Sequence, residues 1–494
     1  MNPSEPPRSA SHARRRAPGA TNDRKVSAEP PCASPPLYRR ILYSASTPSP
    51  PKPPRILHSA SHTALDPLIL DLVALALRAY VTTWYNSGIS RDPDKDFLQA
   101  VTAVLVHVIQ ALEVRLANVD LAELVLVDLS WVFERHYRDW DIAVDKFESG
   151  MAHNLSVDEI FHRLNPHLAV SIDERFSSLT DPSPESRTGR ATVDKVYLRA
   201  LVDPILKLLL PPEDYRAETE RTIVREILVG VVFKSVFNRV AQPWFLFGVG
   251  ARTLEAREAA NEVERKMRDD AGGRDDDPPS FLDKVLNAFS QAPTWISSVV
   301  STVTKVAATS DPSPSTSPAV TSCLVSLVES ILPHSRALSH LLTYLSLLLS
   351  LVSSPIDALV RRSVESRLAS EQTVKAVLEG AIRGMFPNDG WPAAKEPDPD
   401  EDAARELERR CKEVVARLIP EIVAKYLCPE PSHLAAGNDR SIDSHRSKAD
   451  PRFELSNHLL RPFSSHTANV HLFVTVIDLV VGKVFPELIE PHDD

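Results

Sequence analysis

The sequence predicts an all-α protein built from two helical domains, and three observations carry that reading. Apolar residues recur at i, i+3 and i+4 over most of the chain, and no stretch sustains the two-residue alternation of a half-buried strand. The 494 residues include only 14 Gly against 41 Pro, a poor supply for hairpin turns and phosphate-binding loops. The prolines gather between the helical stretches, where they do not break a hydrogen-bond ladder. Hydrophobic residues at 43% and charged residues at 25% are ordinary for a soluble globular chain of two or three domains.

Residues 1–62 read as a disordered, basic, Pro/Ser-rich tail. They carry Arg14, Arg15, Arg16, Arg24, Lys25, Arg39, Arg40, Lys52 and Arg55 against Glu5, Asp23 and Glu29. Each basic side chain near an anionic bilayer contributes about 1 kcal/mol, so the tail can touch a membrane surface. Its prolines prevent the amphipathic helix of a transit peptide, and residues 1–30 lack the apolar run of a secretory signal. Residues 63–250 read as the first helical domain. Asp66-Pro67 opens it as N-cap and first-turn proline, and Leu68 to Trp84 recur at helical spacing. Asp71 and Arg78 interrupt that run, which argues against a membrane span. Helices are expected at 97–116, from Asp120 through Trp140, and at 156–164, 190–209, 216–240 and 243–249.

Residues 251–321 read as a linker containing one amphipathic helix, 280–306. Its bulky residues face a nearly uncharged Ser/Thr surface, so it would meet lipid through packing defects, with Phe281, Phe289, Trp295 and Ile296 as the inserting candidates. The second helical domain, 322–490, is expected to hold helices at 323–332, 336–352, 355–368, 371–384, 402–427, 452–460 and 466–484. Ala337–Ile356 carries no formal charge and is long enough to span a bilayer. A stripe of Ser339, Thr343, Ser346, Ser350 and Ser353 favours buried or cavity-lining packing instead. Leu341, Leu345 and Leu348 are its lipid-facing candidates.

Particular motifs carry a family resemblance. From Leu65 to Leu246 the chain resembles the PX-associated (PXA) domain, through Trp84-Tyr85, Val119-Asp120-Leu121, His136-Tyr137-Arg138, Phe161-His162-Arg163-Leu164-Asn165-Pro166-His167 and Leu209-Leu210-Pro211-Pro212-Glu213-Asp214. From Ser363 to Leu488 it resembles the sorting-nexin C-terminal domain, through Glu371-Gln372-Thr373-Val374, Phe386-Pro387-Asn388-Asp389-Gly390-Trp391-Pro392, Leu418-Ile419-Pro420 and Asn469-Val470-His471-Leu472. The interval 251–321 is too short and polar for the PX domain that usually lies between them. The pattern is similar to short fungal members keeping only the flanking regions, so the resemblance does not extend to phosphoinositide recognition. It implies two regions packed around an apolar, lipid-holding channel, in proteins acting at endosomes and organelle contact sites.

Catalytic chemistry finds little footing. No GxSxG elbow, P-loop or HExxH is present. His136 and Asp141 have the HxxxxD spacing of glycerolipid acyltransferases, but residues i and i+5 of a helix point about 140° apart. His153, His162 and His167 invite a metal reading that the resemblance replaces with a structural turn. Four scattered cysteines form no CxxC pair and fit a reducing compartment, and the net charge of −10 argues against nucleic acid as a partner. No catalytic residue, cofactor or metal is assigned. The expected function is non-enzymatic lipid binding and transfer: fatty acyl chains or phospholipid held in an apolar cavity between two helical domains, with protein partners at contact sites. The expected place is the cytoplasmic face of endosomal, vacuolar or endoplasmic-reticulum membranes. The alternative is a membrane-associated tether or trafficking scaffold that binds proteins and carries no lipid.

Overall fold

The computed structural model describes residues 36–43, 55–58, 64–88, 95–151, 155–172, 191–270, 319–332, 340, 342–344, 346–347, 349, 353–388, 390–392, 398–427 and 450–489. Among these the architecture is helical, as the sequence predicts. In chain order the helices are α1 (Leu37–Leu42), α2 (Asp66–Gly88), α3 (Asp96–Ala117), α4 (Leu129–Glu148) and α5 (Val157–Leu164), then α6 (Lys195–Leu209), α7 (Pro212–Arg216), α8 (Glu218–Ile227), α9 (Lys234–Val240) and α10 (Pro243–Asp270). After the linker come α11 (Val320–Ile331), α12 (Ser353–Leu368), α13 (Glu371–Met385), α14 (Glu401–Leu418), α15 (Glu421–Leu427), α16 (Pro451–Leu460) and α17 (His466–Val484).

Local chemistry explains most helix starts. Asp120 accepts from the Glu123 amide at 2.9 Å and opens the turn that leads into α4. Ser156 and Glu159 form a reciprocal capping box on α5, satisfying two otherwise orphaned amides. Asp194, Ser370, Asp400, Asp450 and Ser465 cap α6, α13, α14, α16 and α17, each side chain accepting from one first-turn amide. Among the described residues three π-helical stretches, Leu77–Thr82, Leu124–Asp128 and Leu228–Phe233, interrupt the α-helical ladder.

Several expectations are corrected. Asp66 is the first helical residue and not the cap; its carboxylate instead accepts from the Leu57 amide at 3.0 Å. Pieces of the expected tail are folded, because Tyr38, Leu42 and Ile56 bury against Leu70, Ala74 and Leu77 of α2. Residues 191–193 are a strand, not the start of a helix, pairing antiparallel with Val170–Ile172; three residues are too few for a periodic signal. α10 continues twenty residues into the expected linker, to Asp270, because its Ala251 packs on Cys411 of α14. The expected helix 402–427 is two, since Pro420 cannot continue the ladder of α14.

The two halves of the chain pack together through α17. Val470 and Val474 join the core made by the β-hairpin, α6, Val229 and Phe237. On another side Ala468 meets Trp140, Ala143, Ile160 and Phe161 of α4 and α5. At its end Val484 and the following Phe485 pack with Leu209, while Val108 and Leu112 of α3 flank them. Burying each large apolar side chain contributes about 1.5–3 kcal/mol. Asn469, fully buried, donates to the carbonyls of Ala241 (3.1 Å) and Phe463 (2.9 Å), which fixes the register of α17. Replacing it by Ala strands both carbonyls, so Asn469→Ala should cost about 2 kcal/mol or more of unfolding free energy; a urea midpoint equal to wild type would refute this role.

Candidate functional site

The seam between the two halves is where buried polar groups collect. Ser465, the cap of α17, donates to Asp158 at 2.6 Å, and burial pushes the Asp158 carboxyl up. One turn along, His471 Nε2 and His162 Nδ1 lie 2.9 Å apart, so one imidazole donates and the other accepts. Further along, Asp478 receives His167 Nε2 at 2.9 Å and the Tyr197 hydroxyl. Burial, reinforced by Asp478, pushes that phenol up. His136 sits edge-on to Phe161 with ring centroids 5.6 Å apart, and its buried Nε2 has no partner among the described residues. Burial holds His136 down at about 4 and His471 at about 3. His136, His167 and His471 line a cavity of about 200 Å³ together with Trp131, Arg135, Asp139 and Phe161.

A second joint sets the turn 386–391 on α2. Arg78 donates to the Gly390 carbonyl and lies 4.5 Å from the centre of the Trp391 ring, while Tyr80 and Phe386 are tilted at 6.4 Å. Gly390 has φ +78°, and a Cβ there would come within 2.6 Å of Arg78 and Leu75; only glycine allows this approach. Both charges that interrupt the apolar run of α2 are therefore engaged by other segments, since Asp71 accepts from the Tyr38 amide at 2.8 Å. Beside this joint Lys95 donates to the carbonyls of Arg40, Ile41 and Tyr43 at 2.7–3.1 Å, ending α1. Arg40, Arg78 and Lys95 line a cavity of about 360 Å³.

A cavity of about 700 Å³ lies among α4, α11 and α16, and its lining is mainly charged. It takes Asp141, whereas His136 faces the 200 Å³ cavity. The HxxxxD pair is thus divided between two sides of α4, as helical geometry requires. Among the described residues no group of three or more His, Cys, Asp or Glu is placed to hold a metal, and His153 lies outside them. So do all seven lipid candidates, Phe281, Phe289, Trp295, Ile296, Leu341, Leu345 and Leu348. Within the 337–356 stretch Leu342 is buried while Tyr344 and Leu347 are exposed. Sequence reasoning overlooked α1 and Lys95; the only signal was Leu37, Tyr38, Ile41 and Leu42 at helical spacing after Pro36.

The histidines give the fold a pH dependence with a definite sign. His136 and His471 stay neutral in the folded state but titrate near 6.5 when unfolded. Stability should be full above about pH 6.5 and fall as pH drops toward the folded values of about 4 and 3, by up to about 1.4 kcal/mol per pH unit for each group. His136→Phe should flatten the slope between pH 6.5 and 4.5 in denaturant titrations; an unchanged slope would show that the buried histidines do not couple to folding.

Family models match two parts of the chain: the PXA domain over residues 62–249 and the sorting nexin C-terminal region over 334–438. PXA domain protein 1 of Schizosaccharomyces pombe is 30% identical over 175 residues, 35% of this chain and 30% of its own length. Sorting nexin-25 of Mus musculus is 23% identical over 41% of this chain, and sorting nexin-13 of Homo sapiens 25% identical over 37%. The matched spans make up 20% and 18% of those two relatives, so this chain matches less than a third of each relative's length. No solved structure matches it. The second family match ends before α16 and α17, so the Asn469–Leu472 motif lies beyond it. The chain carries a PXA domain and, after it, a sorting nexin C-terminal region, and α17, which packs on the helices of the first, follows both.

Proposed function

We propose that this protein is a non-enzymatic lipid-binding and lipid-transfer protein of membrane trafficking, acting peripherally at endosomal, vacuolar or endoplasmic-reticulum membranes and their contact sites. The observation that carries the reading is a surplus of apolar helix surface at the seam. α2, α3 and α17 are each long and apolar enough to cross a membrane by length and composition, yet the most apolar 18-residue window of α3 is only 17% buried. On α3, Val101, Leu105, Val108, Ile109 and Leu112 are partly buried against their clusters, while Val114 and Leu116 are exposed. Acyl chains laid against such a surface leave water at about 0.8 kcal/mol per CH₂ buried. The PXA and sorting-nexin relatives support a trafficking context, and the exposed apolar surface of α3 supports the lipid reading.

A second reading, a trafficking scaffold without cargo, draws support from α8. Its Ile223, Val224 and Ile227 are exposed on one face, a pattern that suits a partner helix. Native mass spectrometry of the purified full chain decides between the two. The lipid reading expects a co-purifying lipid that is reduced by Leu112→Gln at an unchanged melting transition. Repeated recovery of wild type without lipid would overturn it in favour of the scaffold.

A further inference from the structure

We infer that the 200 Å³ cavity at the seam of α4, α5 and α17 is a binding site for a small neutral polyol, a compact carbon frame with adjacent hydroxyls such as one sugar ring. The inference stands apart from the lipid-binding reading, whose apolar surface lies on α3. The walls come from three elements. Trp131, Arg135 and Asp139 follow one another at four-residue spacing along α4, with His136 on the adjoining stripe. Asn165 and His167 stand in the turn after α5, and His471 comes from α17. Trp131 is 56% exposed and Arg135 is exposed beside it, so the cavity opens to solvent at that end.

The polar groups inside are neutral or cancelled, and two imidazoles have bonding capacity to spare. His136 is only 5% exposed, lines the cavity and forms no hydrogen bond among the described residues, its Nε2 being shut off from solvent. His471 spends Nε2 on His162 at 2.9 Å, and its Nδ1 has no partner among the described residues. Burial holds both rings neutral. His167 donates to Asp478 and accepts from the Ala169 amide, so it too is neutral. The Arg135 guanidinium is offset by Asp139 at 3.4 Å, and both are tied to Asn165.

That chemistry selects the ligand. An anion or a cation would enter with no unpaired counter-charge to meet it. An alkyl tail would leave both imidazoles unmatched, which is costly for buried polar groups. A hydroxyl both donates and accepts, so it satisfies a neutral imidazole in either tautomer. Trp131, Phe161 and Leu472 supply apolar surface between the polar groups, the mixture by which a small-molecule site holds a carbon frame. At roughly 30 Å³ per water the space equals about seven waters, the bulk of a single ring.

The test uses the purified full chain and two kinds of probe. The soluble probes are methyl β-glucoside, methyl β-galactoside and methyl α-mannoside; the membrane-borne probe is glucosylceramide in phosphatidylcholine vesicles. Saturation-transfer NMR should show at least one glycoside bound, with acetate and tetramethylammonium unbound at the same concentration. Because the walls join α4 and α5 to α17, the bound glycoside should also raise the melting transition. Trp131→Ala, at an exposed position, and His136→Phe, which keeps a ring in place, should each weaken binding by about tenfold or more. Where His136→Phe fails to fold, Trp131→Ala decides. Glycoside binding assigns a site open to free sugars. Sedimentation with glucosylceramide vesicles and not with ceramide vesicles, abolished by Trp131→Ala and without glycoside binding, assigns a lipid-borne sugar. Binding in neither arm, binding unchanged in Trp131→Ala, or acetate bound as well as the glycosides overturns the inference and leaves the lipid-binding reading untouched.

Discussion

The structure depends on the burial of α17. A helix at the end of the chain fills the space that the PXA helices leave between the β-hairpin, α4, α5 and α6. It brings Val470 and Val474 to one core and Ala468 to a second, and its last turn closes a third. An amphipathic helix needs one covered face; α17 is buried on several, which explains its near-continuous apolar sequence without invoking a bilayer. The fully buried Asn469 adds the directional constraint that hydrophobic burial lacks, because its amide reaches two carbonyls on different segments. Three cores thus join the first half of the chain to α17, with the sorting nexin C-terminal helices held by α10–α14 contacts and by the turn on α2.

That arrangement sorts the seam by polarity. Around α17, His136 and His471 are buried and held neutral, and with His162 they sit among aromatic rings. Farther out, on the other side of α4, the groups are charged and solvated. Ion pairs such as Arg410–Glu255 (2.6 Å) and Arg361–Asp120 (2.7 Å) tie helices of the two halves at this outer level, where each contributes little alone. Apolar packing supplies the attachment, and the charges set orientation.

Much of the fold was legible. Helical spacing located α3, α5, α12, α13, α16 and α17 to within a few residues, since amphipathic periodicity and caps such as Ser156 and Ser465 are local signals. The motif Phe386–Trp391 was legible as a pattern, but its purpose was not. Nothing in those residues shows that Gly390 must admit Arg78 from more than three hundred positions earlier. The strands 170–172 and 191–193 were missed because three-residue elements leave no period to detect. The candidate site was less legible than the fold. The sequence drew attention to the apolar stretches 280–306 and 337–356, because hydrophobicity is what a single chain displays. The cleft among α4, α11 and α16 combines ordinary surface charges that look unremarkable until they face each other.

The sequence by itself determined the helical class, the two regions of family likeness and the position of most helix ends, because periodicity, capping and proline act within a few residues. Tertiary structure alone decided that a terminal helix completes the first domain, that Asp71 and Arg78 are docking groups, and that His136 and Asp141 face different cavities. Those outcomes depend on which surfaces meet across hundreds of residues, and the energy of such meetings is a property of paired faces that no single segment encodes.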